Sequence, residues 1–209
     1  MNSHIKTINN IISFLPSSES PLSADVYAIK GDDYTYVIDV GSCDEAFEFI
    51  NSIEKKKIII THFHDDHMKN LKRLSIPESD LFLGNHAGKI FESRVYSEDA
   101  PRRGTIVKSP MTIEDGISLT ICPIPSSHAK GSLCVNVDNE YLFLGDAFYC
   151  SIKGYNVSLL YNEIQTLKGL SFTKAVMSHD EKIYSRDEII SRLESIYAKK
   201  DKSNPYIKP

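Results

Sequence analysis

Three histidines and two aspartates lie together in a six-residue segment that begins at His62. Residues 58–60, just before it, are all isoleucine, and β-branched residues of this kind are typical of a buried strand. Because side chains alternate between the faces of an extended chain, His62 and His64 project to the same side and could bind one metal ion. Asp66 and His67 follow at once. Two groups of ligands in such a short stretch favour two neighbouring metal ions over one.

The spacing His62-x-His64-x-Asp66-His67 resembles the HxHxDH signature of the metallo-β-lactamase-fold hydrolases. The alternative interpretation is a polar turn between a strand and a helix, with Asp66 as the helix cap. A turn of that kind does not explain three imidazoles in one place. The pattern at the end of a predicted buried strand therefore indicates a metal site.

Three further motifs resemble that family, in the family's order along the chain. His128 stands in a loop that contains proline and glycine, residues 125–132, ahead of a predicted strand. Asp146 follows a glycine at the end of another strand, and His179 lies in a Ser-His-Asp sequence after a third. Any one of these residues alone would be interpreted as an ordinary surface or core residue. Four motifs in series indicate one site, and the resemblance covers nearly the whole chain.

The resemblance implies a dinuclear site with seven ligands. The first metal ion would be bound by His62, His64 and His128, the second by Asp66, His67 and His179, and Asp146 would bridge the two. Imidazole and carboxylate ligands suit two Zn²⁺ ions, with iron or manganese as the alternatives. In the family an aspartate followed by glycine orients the metal-binding loop. The resemblance implies this role for Asp39; a strand-end aspartate in a simple turn is the alternative.

The chemistry that the resemblance implies is hydrolysis. A water molecule between two cations loses a proton near neutral pH and becomes a positioned hydroxide. One ion would polarise a carbonyl or phosphoryl oxygen, and Asp66 would accept or relay a proton. Tyr149 follows Asp146 by three residues. The N-acyl homoserine lactonases have a tyrosine at this spacing that hydrogen-bonds the substrate carbonyl; a core aromatic residue is the alternative.

The sequence thus predicts an enzyme, a dinuclear metal-dependent hydrolase of a small ester, thioester or lactone, similar to the glyoxalase II and lactonase branch. Asp146 differs from the β-lactamases that have a cysteine near this position, which argues against antibiotic hydrolysis. The chain ends one predicted helix after His179, without the helical domain of glyoxalase II, so a glutathione thioesterase is not favoured.

Two alternatives stay open. One is a phosphodiesterase or nuclease of the same fold, and the other is a mononuclear iron oxidoreductase similar to persulfide dioxygenases. The oxygen-reducing iron branch alters the ligand set, for example with glutamate in the first motif. This chain keeps the hydrolase form, with His64 in that motif.

The composition of the chain limits the classes of partner and the cellular compartment that we expect. The 209-residue chain has a formal net charge of -4 at pH 7, which gives no general attraction to phosphate backbones and argues against a nucleic-acid partner. A small molecule is the expected substrate. Four cysteines without a CxxC pair indicate a reducing compartment, and no apolar segment approaches the roughly 18 residues that a membrane span needs. We therefore expect a cytoplasmic protein with no membrane contact.

Predicted strands and helices recur in the same order twice along the chain. Together with the resemblance, this repetition predicts an α/β fold, an αββα sandwich of two mixed β-sheets with helices on the outer faces. We expect one domain over residues 1–209, made of two halves of roughly 1–110 and 111–209.

Three local features complete the prediction. Apolar spacing indicates a helix over 44–56 and another over 185–199, the second with Ser185 as its N-cap and a glutamate three residues on. The basic sequence Lys55-Lys56-Lys57 is interpreted as a solvated helix end. The polar stretch from Arg94 to Pro110 is predicted to be a long loop that covers the substrate, with an ordinary surface loop as the alternative.

Overall fold

The computed structural model describes residues 4–94 and 103–208. The first nine strands are β1 Lys6–Thr7, β2 Ile12–Leu15, β3 Ser18–Glu19, β4 Leu22–Ser23, β5 Val26–Lys30, β6 Thr35–Ile38, β7 Lys56–Ile60, β8 Leu81–Gly84 and β9 Thr105–Val107. The helices among them are α1 Asp44–Asn51, α2 Asp65–Met68 and α3 Asn85–Glu92, with 3-10 segments at Lys69–Arg73 and Glu78–Asp80. Seven of these strands form one sheet in the order β1-β2-β5-β6-β7-β8-β9. Its neighbours are antiparallel as far as β6 and parallel from β6 to β9.

The rest of the chain forms a second sheet. Its strands and the short strands near it are β10 Met111–Glu114, β11 Ser118–Ile124, β12 Ser132–Val137, β13 Tyr141–Phe143, β14 Tyr155–Asn156, β15 Lys174–Val176, β16 Tyr184–Ser185 and β17 Tyr206–Ile207. The sheet order is β10-β11-β12-β13-β15-β16, with β13 and β15 parallel. Two helices belong to this half, α4 Val157–Gly169 between β14 and β15 and α5 Arg186–Tyr197 between β16 and β17.

The apolar core has three layers, one between the two sheets and one on the outer face of each sheet. Residues of both sheets, among them Tyr36, Ile59 and Val135, form the layer between the sheets. A second layer packs α1–α3 against the outer face of the first sheet, and a third packs α4 and α5 against the outer face of the second. The predicted αββα fold with two mixed sheets is confirmed.

The sequence of strand β7 is apolar on both faces because each face packs against a layer of the core. Ile58 and Ile60 pack in the layer beneath the helices, whereas Ile59 packs between the two sheets. All three side chains are fully buried, as β-branched residues in a central parallel strand usually are. The buried strand therefore ends abruptly at the polar segment that begins with Thr61.

The first predicted helix is shorter than expected, and the interpretation of the three lysines was wrong. Helix α1 ends at Asn51, and Lys56 already pairs with Thr35 in the parallel ladder of β6 and β7. Lys57 Nζ lies 2.6 Å from Asp80 Oδ1 and 4.3 Å from the centre of the Tyr34 ring. Pairing with β6 thus decides the local structure, where helical spacing alone suggested one more turn.

The expected loop from Arg94 to Pro110 is only partly a loop. Residues 105–107 form β9, an edge strand parallel to β8, so the prediction was wrong there, because a strand of three residues is too short to show the alternation that marks a strand in sequence. Residues 95–102 lie outside the described residues. The helix after residue 185 has the predicted cap: Ser185 Oγ accepts from Glu188 N, and the Glu188 side chain accepts from Ser185 N. No helix in the described ranges has both the length and the apolar content to cross a membrane.

Candidate metal centre

The seven predicted ligands lie at one edge of the sandwich, where five of them follow strand ends or stand in a loop and two, Asp66 and His67, lie in the short helix α2. His62 and His64 follow β7, and His128 lies in the loop between β11 and β12. Asp146 follows β13, and His179 follows β15. Because β13 and β15 are parallel neighbours, the residues after their carboxyl ends meet at the same place. The structure brings these ligands from both sheets into two adjoining groups.

The first group consists of three imidazoles. His64 Nδ1 lies 3.0 Å from His62 Nε2 and 3.0 Å from His128 Nε2. A neutral imidazole has one N–H and one lone pair, so hydrogen bonds alone give a poor reason for three ring nitrogens to converge. Burial lowers the pKa of His62 well below its ordinary value and also lowers that of His64. Neutral imidazoles whose lone pairs converge are the form of histidine that binds a metal ion.

The second group consists of two carboxylates and two imidazoles, Asp66, His67, Asp146 and His179. Asp66 Oδ2 lies 3.1 Å from His179 Nε2 and 3.4 Å from His67 Nε2. Within the described residues, His67 Nε2 and Asp146 Oδ1 are buried without a hydrogen-bond partner. Buried polar atoms are rarely left so, and a cation between them would satisfy both. The residues present therefore fit a bound metal ion.

Asp146 lies between the two groups. Its Oδ2 atom is 3.2 Å from His128 Nε2 and 4.0 Å from His62 Nε2. Its Oδ1 atom is 3.4 Å from His67 Nε2 and 3.9 Å from His179 Nε2. One oxygen thus faces each group, which is the arrangement that a bridging carboxylate requires.

The charges in the second group favour a cation. Burial would raise the pKa of Asp146, but the imidazoles of His128 and His67 bring it well below its ordinary value. Burial would likewise lower the pKa of His67, but the carboxylates of Asp39 and Asp146 raise it to about 10. Carboxylates that stabilise a proton on a buried imidazole would also stabilise a metal cation in its place.

Asp39 orients His67. His67 Nδ1 donates to Asp39 Oδ2 at 2.7 Å, and the same carboxylate accepts from Thr61 N at 2.8 Å and from Thr61 Oγ1 at 2.7 Å. This bond leaves His67 Nε2 directed at the second group, as in the carboxylate–histidine–metal arrangements of metalloproteins. The structure therefore places Asp39 where the sequence predicted a residue that orients the metal-binding loop.

Tyr149 has a partner within the chain. Its hydroxyl donates to the carbonyl oxygen of Ser178 at 3.1 Å, and burial raises its pKa. In this arrangement the hydroxyl proton is directed at the backbone next to His179 instead of at a substrate. The predicted role of Tyr149 as a hydrogen-bond donor to substrate has no support in this geometry.

Sequence reasoning missed two features of the site. A cleft of about 410 Å³ lies beside the first group, lined by His64, His128 and residues 150–153. Ile152 is fully exposed at this cleft. Asp25 is fully buried, and its carboxylate accepts from the backbone N–H of His179. An aspartate just before the apolar strand β5 was the one available signal for Asp25, and nothing local connects it with residue 179.

Comparison with known proteins is consistent with this site. The sequence model of the metallo-beta-lactamase superfamily matches residues 20–76, a range that includes Asp39 and the HxHxDH motif. No curated protein matches the chain significantly. The chain is similar in structure to a metallo-beta-lactamase from Pontibacter korlensis, with a TM-score of 0.70 and 15% identity over 94% of this chain and 99% of that one.

Two flavodiiron proteins are also similar in structure. A variant of the flavo di-iron protein from Thermotoga maritima gives a TM-score of 0.66 and 17% identity over 91% of this chain and 54% of that one. The flavodiiron protein from Giardia intestinalis gives 0.70 and 13% over 93% and 59%. At these identities the structural similarities show the fold alone. With the sequence match, they confirm the predicted resemblance to the metallo-β-lactamase superfamily.

Proposed function

We propose that this chain, which has the fold and the HxHxDH motif of the metallo-β-lactamase superfamily, is a dinuclear zinc hydrolase of a small ester, thioester or lactone. The observation that carries the proposal is the position of Asp146, with one carboxylate oxygen facing each of two complete ligand groups. Two ions held by one carboxylate are the arrangement that metal-assisted hydrolysis uses.

The ligand set defines what the metal ions would do and what the chain itself contributes. When bound, two such ions supply a hydroxide at neutral pH and polarise a carbonyl oxygen. Asp39 holds the His67 ring with Nε2 toward the site. Burial would raise the pKa of Asp66, but the hydrogen bond from His179 lowers it. Asp66 is therefore a carboxylate at neutral pH and can accept a proton.

The cleft supports a small substrate. Its 410 Å³ volume lies within the range of small-molecule sites, and Cys150 and Ile152 give it apolar surface next to the two histidines. An acyl group seated against Cys150 and Ile152 would place its carbonyl next to His64 and His128. A nucleic-acid substrate is less favoured, because the chain carries a net charge of -4.

Redox chemistry at iron is the second candidate, because flavodiiron proteins share this fold. Fold alone does not choose between these reactions. The first motif has His64 where the resemblance associates glutamate with the oxygen-reducing iron branch, and this difference supports the hydrolase.

Elemental analysis of the protein, purified without added metal, tests the proposal. Two equivalents of zinc per chain, with turnover of an ester, thioester or lactone in a panel that includes phosphodiesters, would support it. One equivalent of iron, with oxygen consumption in the presence of a thiol, would overturn it in favour of the redox candidate. His64→Ala and Asp146→Ala should lose metal and turnover together. His86→Ala, a histidine outside both groups, is the matched control and should keep both.

A further inference from the structure

The second metal group depends on a ligand whose backbone is in an unusual conformation. His179 has a φ of +62°, in the left-handed region that residues with a side chain rarely adopt. A conformation of this kind persists only where the surrounding structure holds it in place, and it is frequent at functional sites. The contacts that hold His179 are therefore part of the metal centre.

Two side chains hold one peptide unit, the one that joins Ser178 to His179. Its N–H, on His179, donates to Asp25 Oδ2 at 2.7 Å. Its carbonyl oxygen, on Ser178, accepts from the Tyr149 hydroxyl at 3.1 Å. The two hydrogen bonds hold opposite ends of the same planar peptide unit. They therefore restrict rotation about the N–Cα bond of His179, which is the rotation that φ describes.

Asp25 is itself fixed. It is fully buried, and its other oxygen, Oδ1, accepts from Ser17 N at 2.9 Å. Asp25 precedes β5 of the first sheet, whereas His179 follows β15 of the second. The bond between them therefore links the two sheets directly at the edge where the ligands meet.

We infer that Asp25 and Tyr149 are positioning residues for the second metal ion. They hold the peptide unit before His179 in place. The Nε2 atom of the His179 ring therefore stays 3.1 Å from Asp66 Oδ2 and faces Asp146 Oδ1. Neither side chain is one of the seven ligands. The inference rests on the dinuclear site of the proposed function, but not on the substrate or the reaction.

The test compares two variants with a control. Asp25→Asn keeps the shape but places an amide N–H₂ against one of the two backbone N–H groups, and Tyr149→Phe removes only the hydroxyl. The control is Asp115→Asn, because Asp115 also links the two sheets by accepting two backbone N–H groups, those of Asp33 and Tyr34. Asp115 does not belong to either ligand group.

The measurement is titration of the metal-free proteins with Zn²⁺ against a chromophoric chelator, with thermal unfolding of the metal-free forms alongside. We expect the second equivalent of zinc to bind about 10- to 100-fold more weakly in Asp25→Asn and about tenfold more weakly in Tyr149→Phe, as for other outer contacts of metal ligands. The first equivalent should be unchanged, and excess zinc should restore the second. Asp115→Asn should lower the thermal midpoint and leave both affinities unchanged.

Unchanged affinity of the second equivalent in both variants would overturn the inference, and so would an equal loss of both equivalents. If Asp25→Asn does not fold, Tyr149→Phe decides alone. A wild-type protein that binds two zinc ions yet hydrolyses none of the panel would contradict the proposed function and leave this inference standing. A wild-type protein with a single zinc site would contradict both.

Discussion

Glu163 is a buried acidic side chain outside both ligand groups. It lies on α4 and is fully buried among apolar residues such as Leu160 and Leu167. Within the described residues, neither of its carboxyl oxygens has a hydrogen-bond partner, and burial raises its pKa well above the ordinary value. We expect Glu163→Met, which keeps the length and removes both oxygens, to stabilise the protein.

The size of this effect depends on pH. A buried neutral carboxyl group without a partner costs about 1–3 kcal/mol. Because the pKa is raised in the folded state, the folded protein keeps a proton that the unfolded chain releases above pH 4.5. The wild type therefore loses up to about 1.4 kcal/mol per pH unit above that value, until the folded-state pKa is passed. Glu163→Met has no such loss, so its advantage should grow with pH.

Urea unfolding of both proteins between about pH 5 and pH 7 measures the difference. We expect the advantage of Glu163→Met to increase from pH 5 to pH 7, by at most about 1.4 kcal/mol per pH unit, on top of its advantage at low pH. In thermal unfolding each kcal/mol corresponds to about 2–4 °C for a chain of this size. Glu163→Gln is the control, because glutamine cannot titrate but stays polar. Its stability relative to the wild type should increase with pH as that of Glu163→Met does, but without the pH-independent gain from removing a buried polar group.

Two results would refute the reasoning. A difference that does not change with pH would mean that Glu163 titrates alike in the folded and unfolded states. A destabilised methionine variant would mean that the carboxyl group makes a favourable contact. Titration of the metal ligands affects both proteins equally and cancels in the difference.

Three more predictions concern the metal centre and the cleft. Asp39→Asn should weaken zinc binding about 10- to 100-fold in a chelator competition, because the bond that orients His67 is lost; unchanged affinity would contradict this role. Treatment with a chelator should lower the thermal midpoint, measured by calorimetry, because the buried oxygen of Asp146 then loses its counter-charge; an unchanged midpoint would count against a resident metal. Lys153→Met should raise KM several-fold for a substrate with a carboxylate and leave a neutral analogue unchanged, and equal changes for the two would show that Lys153 does not contact the anionic group.

The ligand set could be predicted from sequence because its pattern is local. The continuous β-branched run from Ile58 to Ile60 marks a buried strand, and the polar residues that follow such a strand lie at a sheet edge. The same reasoning located Asp146 and His179 after their strands. The place of each residue after a strand is thus a local property, whereas the assignment of these residues to one site came from the resemblance of four motifs in series.

Contacts between distant segments could not be predicted in this way. The bond from Asp25 to His179 joins residues 154 positions apart, and neither neighbourhood encodes the other. The end of α1 was misplaced for the same reason, because pairing of Lys56 with Thr35 overrides local helical spacing. Tyr149 illustrates a third case: its spacing from Asp146 resembles that of a tyrosine that contacts substrate, whereas in the structure its hydroxyl donates a hydrogen bond to the Ser178 carbonyl oxygen.

The division of the ligands between the two sheets has a thermodynamic consequence. The HxHxDH motif follows β7 of the first sheet, whereas His128, Asp146 and His179 follow strands of the second. Neither half contains a complete ligand group, so each metal ion would bind only when the apolar layer between the sheets is packed. Metal binding and sheet packing must therefore stabilise each other by the same free energy. Asp25 links the two halves beside the second group, so its hydrogen bonds contribute directly to this coupling.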